Sequence, residues 1–467
     1  MLTATRTAPM MPERTQVRGE RRIGMMWVLV WLAIHLLLGL AAQATPHVAT
    51  AHAVAAAVTV VALGTMTTRP DRLVLVMMYA GTSDVFWRMT RSRAPWEFSK
   101  YLLAFGALAI LLRAVPRGQV KLGAPALLLL MLLPGVVVTV IDLPPGEARG
   151  LIAMAELGLI AFALCATAFR HVVASLDDAW NAGWILLGPL VSILAVTTHA
   201  VLTRPDIDFG GGANFEASGG FGPNQVATSL GLLVLVLGLL ALIPRTRSMW
   251  PLMAGLAAWA TWSAFLTMSR GGLYSIAIAA GAMALVGSAT KGARLRSLTF
   301  GAVGVVGAII IFSSANNFSG NWLESRYDKQ GSSGRDTIAE LELEVFRSHP
   351  LFGVGSGQVP YHRPSTGHLA SAASHTEYTR LLAEHGIFGI AALCLMLVSI
   401  FQGSKHALTP WNRLMVAAFG AWGLATMVHS ATRVAAVPLL LALTQIRVER
   451  FAPGRPPQSA ARTQVAE

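Results

Sequence analysis

Charge is scarce in this sequence. Only 13% of its 467 residues are Asp, Glu, Lys or Arg, about half the roughly 25% of an ordinary soluble protein. Cysteine is scarcer still, and both examples, Cys165 and Cys394, fall inside apolar runs. A disulfide framework finds no support there, and the redox compartment cannot be read. No Cys/His ligand set, P-loop or dinucleotide-binding glycine fingerprint occurs in a suitable context, and there is no Gly-x-Ser-x-Gly nucleophile elbow. The short alternating segments that build membrane barrels are absent, as is an internal repeat of fixed period.

Apolar residues fill the chain instead: 54% are hydrophobic and the mean hydropathy is +0.57. Apolar segments fall at about 25–42, 47–67, 72–88, 98–114, 121–141, 150–169, 180–202, 223–243, 249–268, 271–289, 297–314, 386–402, 410–428 and 432–446. Each approaches the roughly 20 residues a helix needs to cross a bilayer. A backbone in lipid must satisfy its hydrogen bonds internally, so the segments are expected to be helices. The expected fold is an all-α polytopic membrane protein with about 12 (12–14) transmembrane helices. The third and last segments are short enough to be re-entrant or interfacial.

The basic stretch before Met25 could belong to a signal peptide, but no clear small-residue cleavage site follows. We read 1–24 as a cytoplasmic tail, 25–312 as N-terminal spans, 313–385 as one large periplasmic loop domain, 386–446 as C-terminal spans and 447–467 as a second cytoplasmic tail. With the N-terminus inside, cytoplasmic segments hold 22 of the 36 Lys and Arg but only 7 of the 23 Asp and Glu. The formal charge of +13 is thus positive-inside topology rather than a nucleic-acid footprint, and no nucleic acid is expected as a partner.

Arg270 stands between two apolar runs in Thr267-Met268-Ser269-Arg270-Gly271-Gly272. A guanidinium there must snorkel, pair or bind an anion, and the glycines suggest space for a ligand. Its planar fork suits a diphosphate. Arg88, Arg91, Arg93 and Lys100 form a second basic cluster on the outward side, where interfacial anchoring competes with binding. Ser374-His375-Thr376-Glu377 has capping-box spacing. That spacing puts His375 in a first helical turn, where the dipole keeps its ring neutral and competent as a general base. His362, His368 and His385 read as ordinary loop histidines. Within the long loop, Asp336 to Arg347 reads as an amphipathic helix, with Ile338, Leu341, Val345 and Phe346 opposite Glu340, Glu342 and Glu344. Asp206 and Asp208 have a spacing that can hold a metal, though any loop with two acids matches it. Asn224, in Phe221-Gly222-Pro223-Asn224-Gln225, could cap a helix or touch a ligand.

These motifs, in this order, resemble the O-antigen ligase family of bacterial envelope enzymes. Gly334-Arg335-Asp336, Pro350-Leu351-Phe352-Gly353-Val354-Gly355 and Ser374-His375-Thr376-Glu377-Tyr378 complete the set, which covers roughly residues 200–390. The resemblance implies a GT-C-like membrane glycosyltransferase of the bacterial inner membrane that acts at its periplasmic face. It would move a glycan from undecaprenyl diphosphate to lipid A-core, inverting the anomeric centre, with no cofactor and no metal. His375 would be the catalytic base, and Arg270 and Arg335 would hold the diphosphate. Arg88 joins them on topology alone, and Asn224 and Tyr378 are candidate substrate contacts. Expected partners are the lipid-linked O-antigen donor, the lipid A-core acceptor and membrane lipids, with the protein a monomer. An O-antigen polymerase or a protein O-oligosaccharyltransferase of the same superfamily is the near alternative. A lipid-linked glycan transporter is the alternative of another class, and would show charges buried at mid-span.

Overall fold

The computed structural model describes residues 23–449 apart from 68, 117, 205, 211, 244–246, 288–290, 329–333, 365–371 and 430, with backbone alone at 291–300, 302, 303 and 431. Both tails beyond 22 and 449, and His368, lie outside the described residues. The helices are α1 (Met25–Ala44), α2 (Pro46–Met66), α3 (Pro70–Thr82), α4 (Asp84–Met89), α5 (Phe98–Ala109), α6 (Ala124–Asp142), α7 (Pro145–Phe169), α8 (Leu176–Thr203), α9 (Pro223–Ala241) and α10 (Trp250–Leu266). They continue with α11 (Arg270–Gly287), α12 (Lys291–Phe318), α13 (Trp322–Asp328), α14 (Arg335–Ser348), α15 (Val359–His362), α16 (Glu377–His385), α17 (Ile387–His406), α18 (Pro410–Met427) and α19 (Ala436–Leu443). Among the described residues the only strands are β1 (Val173–Ser175) and β2 (Arg447–Glu449), which run parallel with Val173 opposite Arg447.

The chain is an all-α polytopic membrane protein. Among the described residues, eight helices are long and apolar enough to cross a bilayer, and each of the fourteen apolar segments coincides with helix. Proline in the first turn starts α2, α3, α7, α9 and α18, where its missing N–H costs no hydrogen bond. The third segment divides at Ser83 into α3 and α4, and the last is only the eight-residue α19. Phe162, Phe169, Trp180, Trp184 and Trp422 form the fully buried centre. Leu29, Val58, Leu133 and Val398 point outward from α1, α2, α6 and α17, as lipid-facing side chains do.

A directed chain of hydrogen bonds ties the N-terminal helices. The indole of Trp87 can only donate, and gives its proton to Nδ1 of His52 at 2.8 Å. The Nε2 of His52 then donates to the Tyr79 hydroxyl at 2.7 Å, and that hydroxyl donates to Nε2 of His35 at 2.9 Å. Nδ1 of His35 ends the chain on the Trp31 carbonyl at 2.9 Å. Both rings are satisfied as neutral tautomers, so no buried charge is needed.

The segment 350–357 docks against α6. Pro134 lies inside that helix, and the Gly135 carbonyl beside it accepts the Ser356 N–H at 3.2 Å. Val354 and Gly355 donate to the Ala383 and Glu384 carbonyls of α16 at 3.0 and 3.1 Å. Gly353, Gly355 and Gly357 all have positive φ, and a Cβ on Gly353 would meet the Glu384 backbone at 2.3 Å. Only glycine fits there.

Candidate functional site

The loop helix α14 spans Arg335–Ser348, within a residue of expectation at each end, but one assignment on it fails. Glu342 is fully buried on the same face as Ile338 and Val345. It forms an ion pair with the buried Arg363 and accepts from the Thr379 hydroxyl at 2.5 Å. A buried carboxylate persists only with such partners, so the helix turns a charged side chain inward to hold the loop together.

The start of α16 also differs. Its N-cap is Thr376, whose side chain accepts the Tyr378 N–H, so Ser374 is not the cap and His375 lies before the helix. The Ser374 hydroxyl accepts from Arg363 at 3.0 Å, and its carbonyl accepts from Arg433. Glu377 accepts from Arg380 at 2.5 Å and from the Thr432 N–H and hydroxyl, both at 3.2 Å. The loop that carries His375 is therefore fixed on one side by α14 and α15, through Arg363. On the other it is fixed by the break between α18 and α19, through Thr432 and Arg433.

His375 is neutral for a reason other than a helix dipole. Burial, then the Arg335, Arg433 and Arg363 guanidiniums, push its imidazole down to about 4. Burial and the neighbouring Arg326 and Arg270 also lower Arg335, offset in part by Asp336. Arg326 on α13 is lowered by burial and by Arg270. Burial drives the Tyr327 phenol beside them upward, and the nearby Tyr274 adds to that. Arg270, Arg326 and Arg335 thus come from three separate helices and lie close enough to act on one another. The structure brings His375, Arg335 and Arg270 into one electrostatic neighbourhood.

The other expected residues occupy different positions. Arg88 is buried, 3.0 Å from Asp84 and 3.9 Å from Glu97, with its guanidinium 4.7 Å from the centre of the Trp96 ring. Lys100 pairs with the same Glu97. Asn224 does not cap α9, whose N-cap is Gly222. Its amide donates to the His429 carbonyl at 2.7 Å and its oxygen accepts from Ser269 at 3.2 Å. Gly271 and Gly272 make room for the protein itself, since a Cβ would meet the His429 ring at 2.6 Å and the Ala227 backbone at 2.4 Å respectively. The Tyr378 hydroxyl donates to the Leu424 carbonyl at 2.9 Å. Asp208 accepts the Gly210 N–H at 2.7 Å in a local turn.

His385 is not an ordinary loop histidine. It is fully buried, with Nε2 3.0 Å from Glu156 near the middle of α7. Arg380 bridges Glu377 and Glu384, each at 2.5 Å, and donates to the Ala155 carbonyl at 3.1 Å. Glu156, Glu384 and His385 are the one group among the described residues whose ligand atoms lie close enough for a metal. Their geometry is that of an ion-pair chain: Arg380 occupies Glu384, and Nδ1 of His385 faces Gly135 too closely for a Cβ to fit between them.

Arg326, Arg363 and Arg433 went unnoticed in the sequence. Arg433 had a signal, since it stands at the edge of an apolar run as Arg270 does. Arg326 and Arg363 had none.

Residues 254–394, under a third of the chain, match the family model described as O-antigen ligase. The match runs from α10 into α17, and so contains Arg270, Arg326, Arg335, His375 and the whole Arg380 chain on α16. No curated protein matches the chain. That segment is similar to the O-antigen ligase family.

Proposed function

We propose that this protein transfers a finished glycan from undecaprenyl diphosphate to a sugar hydroxyl of lipid A-core, at the periplasmic face of the bacterial inner membrane. The observation that carries the reading is a neutral imidazole, His375, held among arginines beside the trio Arg270, Arg326 and Arg335.

The acceptor hydroxyl gives its proton to His375 and its oxygen attacks C1 of the donor sugar. The bond from C1 to the diphosphate oxygen breaks, and the arginines take the developing negative charge. One displacement inverts the anomeric centre. In the empty site His375 is a weak base, because the arginine field opposes its protonation. The donor diphosphate offsets that field and makes the imidazole more basic when a base is needed. Guanidiniums stabilise the leaving group, so the reading needs no metal or cofactor. Arg270 and Arg335 hold the diphosphate, and Arg326 joins them. Arg88 has a lesser part, since Asp84 and Glu97 already balance its charge. Asn224 and Tyr378 shape the walls of the site.

In vitro transfer from purified donor to lipid A-core tests the assignment. Transfer that survives chelation by EDTA supports it, and a loss that Mg²⁺ reverses overturns the metal-free mechanism. The lipopolysaccharide of a deletion strain separates the relatives. Core without O-chains, with capped lipid-linked polymer accumulating, indicates a ligase; single-repeat products indicate a polymerase.

A further inference from the structure

We propose that the end of the helix bundle opposite His375 carries a binding site for the phosphate headgroup of an anionic membrane lipid. Four separate elements bring basic side chains together there. Lys121 precedes α6, Arg170 and His171 follow α7, Lys405 and His406 end α17, and Arg447 opens β2. Arg170 is built in: it donates to Gln402 of α17 and, at 3.3 Å, to Gln445 beyond α19. It lies so close to Gly123 that a Cβ there would stand 2.0 Å from its Nη1. The parallel pairing of β1 and β2 sets Arg447 opposite Val173, two residues beyond His171.

These groups act on one another. Burial and then Lys121, Arg170 and Arg447 lower His171, whose Nε2 is buried without a hydrogen-bond partner. Burial and then Arg447, Arg170, Lys121 and Lys405 lower His406. The same three cations, Lys121, Arg170 and Arg447, act on both histidines. Of the acids beside β1, Asp178 is engaged by Ser175, the cap of α8. Positive-inside topology accounts for basic residues at this end of the bundle. It does not account for a fold that gathers them from four elements around one spot, where like charges repel unless an anion sits between them.

The surroundings point to a lipid. The Lys405 ammonium lies 4.6 Å from the centre of the Phe401 ring, and Phe401 is 60% exposed one turn into the apolar face of α17. Leu397 of α17 and Leu127 and Leu130 of the adjacent α6 are about half exposed as well. A headgroup on the bases would leave its acyl chains along this strip. Basic pockets between helices on the cytoplasmic side bind anionic headgroups in this way.

The full-length protein, purified in a neutral detergent, is titrated with dioleoylphosphatidylglycerol or dioleoylphosphatidylcholine, and retained lipid is counted by native mass spectrometry. The wild type should retain the anionic lipid in preference. A Lys121→Gln, Lys405→Gln, His406→Gln triple variant should lose that retention roughly tenfold or more. Arg170 is left intact because it also holds helices together. Arg247→Gln, on another connection, should change nothing, and the thermal melt of the triple variant should match the wild type in the absence of added lipid. Equal retention by the triple variant, or equal loss in Arg247→Gln, overturns the site. Displacement of the lipid by millimolar inorganic phosphate overturns the lipid assignment in favour of a soluble anion.

Discussion

His375 and His385 stand at the two ends of one short helix, and their surroundings are opposite. The first lies among guanidiniums, from Arg335, Arg433 and Arg363. The second lies against carboxylates, bonded to Glu156 at 3.0 Å with Glu384 beside it. Arginines disfavour a proton on an imidazole, whereas carboxylates favour one. One end of α16 therefore holds a base whose proton affinity a bound anion can change. The other holds His385 on Glu156 and so anchors the helix between α6 and α7. Residue type alone did not separate these roles; the sign of the neighbouring charge does.

The largest expected effect follows directly. His375→Ala should lower transfer by about 10²- to 10⁴-fold, the usual contribution of a general base. Expression and thermal stability should stay near wild type, because neither end of α16 depends on that ring. Transfer assays with purified donor, run beside a melt in detergent, check both halves. Turnover at the wild-type rate sinks the assignment of the base.

That contrast also marks how far the sequence could be read. The apolar segments are local signals, and each coincides with helix because composition alone drives it. The amphipathic helix at 335–348 is equally local. His385 is a different case, because its partner Glu156 lies 229 residues away and on a segment that reads as uniformly apolar. Glu342 looked solvated for the same reason: Arg363 is 21 residues on. The capping box at Ser374 was a sound local expectation, but long-range donors, Arg363 and Arg433, claim that residue. Long-range ion pairing was the invisible quantity, and it decides which charged groups build the site and which line it.

Breaking the anchoring end should cost stability rather than chemistry. Glu156→Ala leaves the buried His385 without its partner, while Arg380 keeps Glu377 and Glu384, and losing one partner of a buried pair costs about 3–5 kcal/mol. The melting temperature in detergent should fall clearly, with activity per folded molecule largely kept. A doubly neutral variant, Glu156→Gln with His385→Asn, should recover part of the loss, because no charge is then left alone. A wild-type melt for Glu156→Ala would remove the distinction between the two ends of α16.

The smallest effect is the most specific to the arginine end. Arg335 is the largest charge acting on His375 after burial, and it acts by disfavouring the imidazolium. In Arg335→Gln that opposition is gone, so the pKa of the free enzyme must rise from about 4 toward the ordinary histidine range near 6.5. The base is active only when neutral, so transfer is lost as pH falls through that pKa. The acid limb of kcat/KM should therefore lie near pH 4 in the wild type and move to higher pH in the variant, with the alkaline side unchanged. Bound diphosphate offsets the same field, so the acid limb of kcat, which reports the donor complex, should lie above that of kcat/KM in the wild type. The gap between the two limbs should narrow in Arg335→Gln, because part of the field that the donor offsets has already been removed. Coincident limbs in the wild type would mean that the donor does not change the proton affinity of His375, and the arginines would then serve binding alone.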